Sequence, residues 1–420
     1  MKRLRILILA VLLAAAAGRL PGQSYRTFQD EYGEIAARAG FRLGPLKVLP
    51  AIRLSNVGYD SNILYSPKEE GPVADFVGTL AAEIRGSWLL GPSVILTVLE
   101  VPEYNYYHRE KDLRTLTNSC VPAIRILLAR RLALSGDYHF LSQVRRTTSE
   151  FGEPVENNQK GWNGRVFYET PRGTAVGLAG SVDDFRYRNP AIPDPVNDYA
   201  RTLDRRERAA AFEFYYRVFS RSHVFAKAGV MDYEFLDPAS SWRNAHAWQV
   251  SGGVRFPLLG RARGTLSLGY KSFIPKAEGR KEFSGLVADT DVSLRAGRVG
   301  LGLAYTRDNY FSIIDTAYYF IEDRVRLGLA FYLFPFLRLE GRWQLAGWNY
   351  PKPQDVWFHG QPVLVENRWD RNHILAVGLA VRIAGTAGLG VSYNFYRRTS
   401  NAPGYDIDHH FIGASLAYDF

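Results

Sequence analysis

The sequence predicts an all-β fold: a transmembrane antiparallel up-and-down β-barrel of about eighteen strands (sixteen is the other count considered), with its N- and C-termini both periplasmic. Three observations predict it. The chain opens on an export-type segment and carries no apolar helix after it. From Lys47 onward, segments of strand length alternate apolar and polar residues. The connections between those segments alternate short and long.

Lys2, Arg3 and Arg5 form a positive leader, and 6–17 is an unbroken apolar run. That run is about a dozen residues, whereas a membrane-crossing helix needs roughly 20. Ala16 and Gly18 supply small residues for cleavage near 18–23, so 1–23 reads as a signal peptide, with a retained N-terminal anchor as the alternative. No cysteine sits there to take a lipid. Later apolar stretches such as 124–129 are broken by Arg125 and Arg130, which excludes a helical membrane protein. The other structure that satisfies every backbone group in lipid is a closed barrel. Aromatics make up 14% of the chain, with 25 Tyr, and one cysteine, Cys120, leaves no internal disulfide to an exported 420-residue protein. Cys120 reads as a strand residue.

Strands are expected near 47–57, 73–87, 93–107, 114–129, 131–145, 160–170, 173–188, 203–219 and 223–236. The second half continues near 242–257, 262–274, 281–296, 298–312, 317–333, 336–350, 368–384, 386–398 and 407–420. Tight turns fall at 90–92, 130–131, 171–173, 220–222, 260–261, 297–298, 334–335 and 385–386. Longer polar stretches lie at 146–159, 189–202, 237–241, 275–280, 351–367 and 399–406. Leu375, Val377, Leu379, Val381 and Ile383 alternate with Ala376, Gly378, Ala380 and Arg382. Val325, Leu327, Leu329 and Phe331 likewise oppose Arg324, Arg326, Gly328 and Ala330. Small residues beside scattered charges suit a wetted lumen better than the outer face of a soluble sandwich. Aromatic clusters at Tyr104, Tyr106 and Tyr107, at Phe212, Phe214, Tyr215 and Tyr216, at Tyr318, Tyr319 and Phe320, and at Trp343 and Trp348 suggest interfacial girdles, with cross-strand packing the plainer reading.

The domain reading is therefore a signal peptide over 1–23, a short periplasmic segment over 24–46 and a transmembrane barrel over 47–420. In the short segment, Phe28, Tyr32, Ile35 and Ala36 stand at helical spacing and predict a helix within 26–39, too small to plug a wide barrel. At the other end Ile412, Ala414, Leu416, Tyr418 and Phe420 form a mostly apolar face. Leu416, Tyr418 and Phe420 resemble the terminal signal read by barrel-assembly machinery, although Ser415 stands where that signal usually has glycine.

The first expected strand carries a signature: Phe41-Arg42-Leu43-Gly44-Pro45-Leu46, Leu49-Pro50-Ala51-Ile52, then Gly58-Tyr59-Asp60-Ser61-Asn62-Ile63. It resembles the opening of the outer-membrane β-barrel porin family known as β-barrel porin 2, in which a Gly-Pro lead-in and a Tyr-Asp-Ser-Asn turn introduce the barrel. Leu268-Gly269-Tyr270-Lys271 and Leu303-Ala304-Tyr305-Thr306-Arg307-Asp308 extend the likeness loosely. The resemblance implies a porin-like activity; some members resemble barrels of exopolysaccharide systems. Asp60-Ser61-Asn62 reads as a capped turn, with a calcium-binding turn as the rarer alternative.

A barrel of about eighteen strands is wide enough for an aqueous channel. Passive diffusion of small hydrophilic solutes, anionic or sugar, is the expected function, with loops 146–159, 189–202 and 351–367 the candidates to narrow the pore. Alternation places Arg85, Arg125, Arg165, Lys227, Arg255, Arg295, Arg324, Arg326, Arg338, Glu340, Arg342 and Arg382 on the lumen face, together with Lys271. Rings of Arg and Lys favour anions; the competing reading puts several at the rims, against lipopolysaccharide phosphates. Tyr332, Tyr396 and Phe167 share that parity and suggest a sugar track. The formal net charge of +10 is spread over strands rather than gathered in one patch, which disfavours nucleic acid. The eight His residues are scattered and no Gly-x-Ser-x-Gly is present, so an enzyme is not expected; a barrel-borne hydrolase is the least favoured alternative. Asp406, Asp408, His409 and His410 read as a solvated polar loop rather than a metal site, and no cofactor or metal is expected. A barrel component of an exopolysaccharide-export or envelope-structural system is the second function considered. The expected location is the outer membrane of a diderm bacterium. The expected partners are its lipid and lipopolysaccharide, the assembly machinery and further copies of the chain in a homo-oligomer.

Overall fold

The computed structural model describes residues 15–16, 27–37, 40–145, 155–189, 198–219, 222–258, 262–312, 319–358, 361–383 and 386–420. Apart from 15–16, the expected signal peptide lies outside the described residues, as do 146–154 and 190–197 of the expected long loops, Tyr318, and parts of three tight turns.

Eighteen strands build the barrel. They are β1 (Leu46–Asp60), β2 (Asp75–Leu90), β3 (Val94–Tyr107), β4 (Thr115–Leu128), β5 (Leu132–Arg145) and β6 (Val155–Glu169). Then come β7 (Ala175–Arg188), β8 (Arg205–Arg217), β9 (His223–Phe235), β10 (Ala245–Leu258), β11 (Ala262–Pro275) and β12 (Phe283–Ala296). The last six are β13 (Val299–Phe311), β14 (Tyr319–Phe334), β15 (Leu337–Asn349), β16 (Trp369–Ile383), β17 (Ala387–Ser400) and β18 (Ile407–Asp419). Each pairs antiparallel with its successor, as where Ala209 of β8 faces Met231 of β9. The sheet closes where β18 pairs with β1, Phe411 opposite Asp60 and Ile412 opposite Tyr59. Every expected segment holds a strand. The largest boundary shift is at β6, which starts at Val155 rather than near 160. The 351–367 connection carries its own small hairpin, Gln354–Phe358 with Gln361–Val365.

The pleat puts alternate residues on opposite faces. On the outer face Leu178, Val230, Leu286 and Val391 are 63%, 59%, 57% and 54% exposed. A band of such side chains around a whole barrel would drive aggregation in water and is the expected surface against hydrocarbon. The same pleat divides the aromatic runs. Tyr104, Phe212, Phe214 and Tyr216 are exposed on the outer face, but Tyr215, Tyr319, Phe320 and Trp348 are buried inside. The girdle expected from these clusters is therefore thinner than the sequence suggested, because the pleat turns residues such as Tyr215 inward and Tyr319 and Phe320 are both buried at the start of β14.

Tight turns close one end of the barrel. Between β4 and β5 both central residues, Ala129 and Arg130, take positive φ (47° and 61°), the type I′ geometry that matches strand twist. Gly91 and Gly297 supply the same left-handed backbone at their turns (φ 60° and 59°). Because β1 starts and β18 ends at this end, both ends of the barrel strand series lie there.

The opening signature seals the seam. Asn56 has φ 52°, the β1–β2 register shifts between Ser55 and Gly58, and a Cβ on Gly58 would lie 2.0 Å from the Ile412 carbonyl oxygen. This bulge brings β1 against β18 so closely that only glycine fits. Past it, an Asp60 carboxylate oxygen accepts from the Asn62 N–H at 2.9 Å and sits 2.8 Å from His409 Nε2. Ser61 exchanges hydrogen bonds with His410, its N–H donating to the His410 carbonyl at 2.9 Å and its Oγ accepting from the His410 N–H at 2.8 Å. Asn62 grips Ser66 through both ends of its amide at 2.9 Å. The Tyr-Asp-Ser-Asn stretch is thus a capped turn that locks the first strand to the last.

The N-terminal helix departs from expectation. α1 (Phe28–Ala37) lies within the expected 26–39 but does not stand apart; it is docked inside the tight-turn mouth. Phe28, Tyr32 and Ile35 form one apolar stripe, and Phe28 is fully buried among Ile95, Leu127, Phe167, Tyr215 and Phe225. Thr27 caps the helix by accepting from the Asp30 N–H at 3.2 Å. Glu169 accepts from the Phe28 N–H at 3.3 Å, Glu31 pairs with Arg125, and Lys47 donates to the Ile35 carbonyl at 3.0 Å and to that of Ala36. An acid at the first turn's N–H and a cation at the last carbonyls both suit the helix dipole. The helix covers one side of the mouth only.

Candidate channel lumen

Along the inner face, the barrel has two unlike walls. From β7 to β13, towards the long-loop end, side chains fill the interior. Tyr233 packs on Phe273 and Phe311 with ring centroids 5.7 and 5.2 Å apart, and Phe235 meets Phe311 at 4.9 Å. Charges here are buried and paired. Lys271 Nζ is 2.9 Å from Asp308, with both side chains under a tenth exposed. Lys227 lies 3.2 Å from Glu213, and Arg205 is 2.7 Å from Glu207 with its guanidinium 4.4 Å over the Phe185 ring.

The opposite wall, β12 to β18, is open. Gly302, Ala304, Gly328, Ala330, Ala376, Gly378, Gly390 and Ser392 occupy its inner positions, so little side-chain bulk enters the lumen. Three cavities follow one another along it. The first, about 810 Å³ near the long-loop end, includes Arg324, Arg342 and Asn394. The second, about 910 Å³, shares Arg342 and Asn394 with the first and adds Arg295 and Tyr332. The third, about 700 Å³ at the tight-turn end, shares Arg295 and Tyr332 with the second and adds Arg338 and Arg382. These shared residues place the three cavities in series along the open wall.

All twelve residues expected in the lumen lie on strand positions opposite the apolar band, but they fall into two groups. Arg85 pairs with Glu83 at 2.9 Å, Arg125 holds α1 and Lys227 holds Glu213; Arg165 and Arg255 lie near Tyr215 in the same region. The others line the open wall. Arg324 pairs with Glu322 at 2.6 Å, and Arg338 pairs with Glu340. Arg295 and Arg338 flank the Tyr332 ring at 4.5 and 6.0 Å. Arg295, Arg326, Arg342 and Arg382 have no acidic partner among the described residues. Of the aromatic candidates, Tyr396 lines the first cavity and Tyr332 the third, whereas Phe167 is packed under α1.

Sequence reasoning missed the Lys271–Asp308 pair, which spans two strands across Gly285 of β12, the inner residue facing Lys271. It also missed the inward amides Gln143, Gln344, Asn372 and Asn394, whose parity was legible but whose meeting in one cavity was not. The Asp406, Asp408 and His410 side chains go separate ways: to the Ser400 N–H, to Lys68 at 2.7 Å and to the Tyr393 hydroxyl at 2.8 Å. No group of three or more metal-ligating side chains occurs among the described residues. Leu416, Tyr418 and Phe420 are exposed on the outer face, Tyr418 edge-on to Phe420 at 4.7 Å.

No protein-family model matches the chain, and no curated protein matches it. Solved structures do. The chain is similar to OccK2 (OpdF) of Pseudomonas aeruginosa at 12% identity and a TM-score of 0.50, over 89% of this chain and 98% of that one. OccAB3 of Acinetobacter baumannii (11% identity, TM-score 0.48, 89% and 99% covered) and a BenF-like porin of Pseudomonas fluorescens (11%, 0.48, 90% and 99%) also align. The likeness to OccK2 is one of fold: the chain is a closed eighteen-stranded antiparallel transmembrane β-barrel.

Proposed function

We propose that this barrel is an outer-membrane channel through which small hydrophilic solutes diffuse passively, with a preference for anions. The single observation that carries the reading is the series of abutting cavities along β12 to β18, lined by Arg295, Arg342 and Arg382 without acidic partners among the described residues, with Arg326 at a neighbouring inward position of β14. An unpaired guanidinium keeps its full charge for a passing solute, whereas a paired one is largely cancelled. The resemblance to a porin fold supports passage rather than catalysis.

In this reading residues 1–23 are removed on export, and the tight turns face the periplasm of a diderm bacterium. Support comes from outward-facing ion pairs that, among the described residues, lie at the long-loop end: Arg206 with Asp184 at 2.6 Å and Arg208 with Asp232 at 3.3 Å. Such charges sit above an apolar band, at the level of lipopolysaccharide headgroups. The exposed Leu416, Tyr418 and Phe420 remain available to assembly machinery at the other end.

Purified protein in planar bilayers should give stepwise conductance, and a potassium chloride gradient should give a reversal potential of the anion-selective sign. Insertions without current would sink the channel; a cation-selective sign would sink the anion preference.

A further inference from the structure

The first cavity differs from the rest of the path in what its wall offers. Four amide side chains meet there from facing strands: Gln143 of β5, Gln344 of β15, Asn372 of β16 and Asn394 of β17. Asn372 is 5% exposed; its Oδ1 accepts from the Tyr396 hydroxyl at 2.7 Å, and its Nδ2 has no partner. Gln143 Nε2 is likewise buried without a partner. The Gln344 and Asn394 amides have none among the described residues. A buried donor left unsatisfied is costly, so four neutral amides converging on one space mark what that space accepts.

An amide presents two donors and an acceptor without charge. Its complement is a hydroxyl, which both donates and accepts. An inorganic anion would use the arginines and leave the amide oxygens idle, and an apolar solute would leave all four amides unpaired. Of the three acids at the cavity, Asp60 is engaged by His409 and Glu322 by Arg324 and the Trp348 indole N–H at 3.0 Å, while the Glu103 carboxylate has no ion-pair partner among the described residues and adds an acceptor for a hydroxyl. Aromatic surface is present too. Tyr396 is held edge-on by Tyr65 at 5.5 Å, and Trp348 is stacked on Phe320 at 4.4 Å. A volume of about 810 Å³ falls in the usual range for small-molecule sites, about 300–1,000 Å³.

We propose that this outer chamber is a saccharide-binding site, in which Gln143, Gln344, Asn372 and Asn394 take the hydroxyls of a mono- or disaccharide whose ring lies beside Tyr396. The proposal rests on the channel reading and names a solute class for it: hydroxyl-rich molecules pause at the amides before meeting the arginines.

Isothermal titration calorimetry of the full detergent-solubilised chain with sucrose tests it, with a polyethylene glycol of matched hydrodynamic size as comparator. Sucrose should give saturable heat in the millimolar range and the polymer none. The Asn372→Ala/Gln344→Ala variant, still heat-modifiable on gels as a folded barrel, should bind at least tenfold more weakly. In bilayers, sucrose should reduce the current more than the matched polymer does. No sucrose heat, equal responses to sucrose and polymer, or an unchanged double variant would overturn the chamber. Anion-selective current without sucrose heat overturns the chamber alone, while saturable heat without any current overturns the channel alone.

Discussion

The two walls of the barrel carry the same kinds of inward residue and use them in opposite ways. Between β7 and β13, Lys227, Lys271 and Arg205 are clamped by Glu213, Asp308 and Glu207 among stacked rings. Between β12 and β17, Arg326 stands between Ala304 and Gln344, Arg342 between Gly328 and Ala376, and Arg382 opposite Gly388, with no acid among the described residues to hold them. The difference lies in the neighbours. Bulky inner residues exclude water, so a charge there must be paired to be tolerated. Small inner residues leave the lumen wet, so a lone charge costs little and remains available. An inward cation is therefore buried in a pair on the filled wall, whereas on the open wall some, such as Arg342 and Arg382, are left for solutes in the proposed channel.

Substitutions can break or sharpen that contrast. The largest effect is expected for Lys271→Met, which strands the Asp308 carboxylate in a dry pocket. Losing one partner of a buried pair costs about 3–5 kcal/mol, so the midpoint of urea unfolding in detergent should fall sharply. The paired change Lys271→Met/Asp308→Leu should recover most of it. An unshifted midpoint in Lys271→Met would mean that this wall is wet after all.

Next comes Phe28→Ala. Removing a buried aromatic costs roughly 3–5 kcal/mol, more than a helix of ten residues can bear once undocked. The barrel should persist while α1 leaves its corner of the mouth. Single-channel conductance should then rise and protease sensitivity at the N-terminus should increase; unchanged conductance would place α1 outside the conducting path.

Arg85→Ala should do least. Its pair with Glu83 is about two-fifths and a quarter exposed on the two sides, and such pairs contribute about 0.2–1 kcal/mol. Urea midpoint and reversal potential should both stay near those of the parent chain, and a large loss of stability would contradict the ranking.

Much of this was legible in the sequence. The period of two located all eighteen strands, and parity alone put Arg342 and Arg382 on the inner face. Tight turns were visible because Gly91 and Gly297 mark left-handed backbone. What parity cannot give is partnership. Arg324 and Arg326 look alike in sequence, yet Glu322 holds the first at 2.6 Å and nothing among the described residues holds the second. Lys271 finds Asp308 only because glycine at 285 lets its arm cross an intervening strand. The docking of α1 escaped for a similar reason: the stripe of Phe28, Tyr32 and Ile35 was readable, but its receptor is assembled from seven strands, β3 to β9, whose contributing residues run from Ile95 to Phe225. Runs such as Phe214-Tyr215-Tyr216 misled because residues adjacent along a strand point to opposite faces.

The claim that the open wall sets selectivity is tested most directly by the reversal potential of the Arg326→Ala/Arg342→Ala/Arg382→Ala variant in a potassium chloride gradient. The account predicts that the anion preference of the parent channel is lost or inverted, with the urea midpoint almost unmoved. A triple variant that keeps the parent's reversal potential would contradict it.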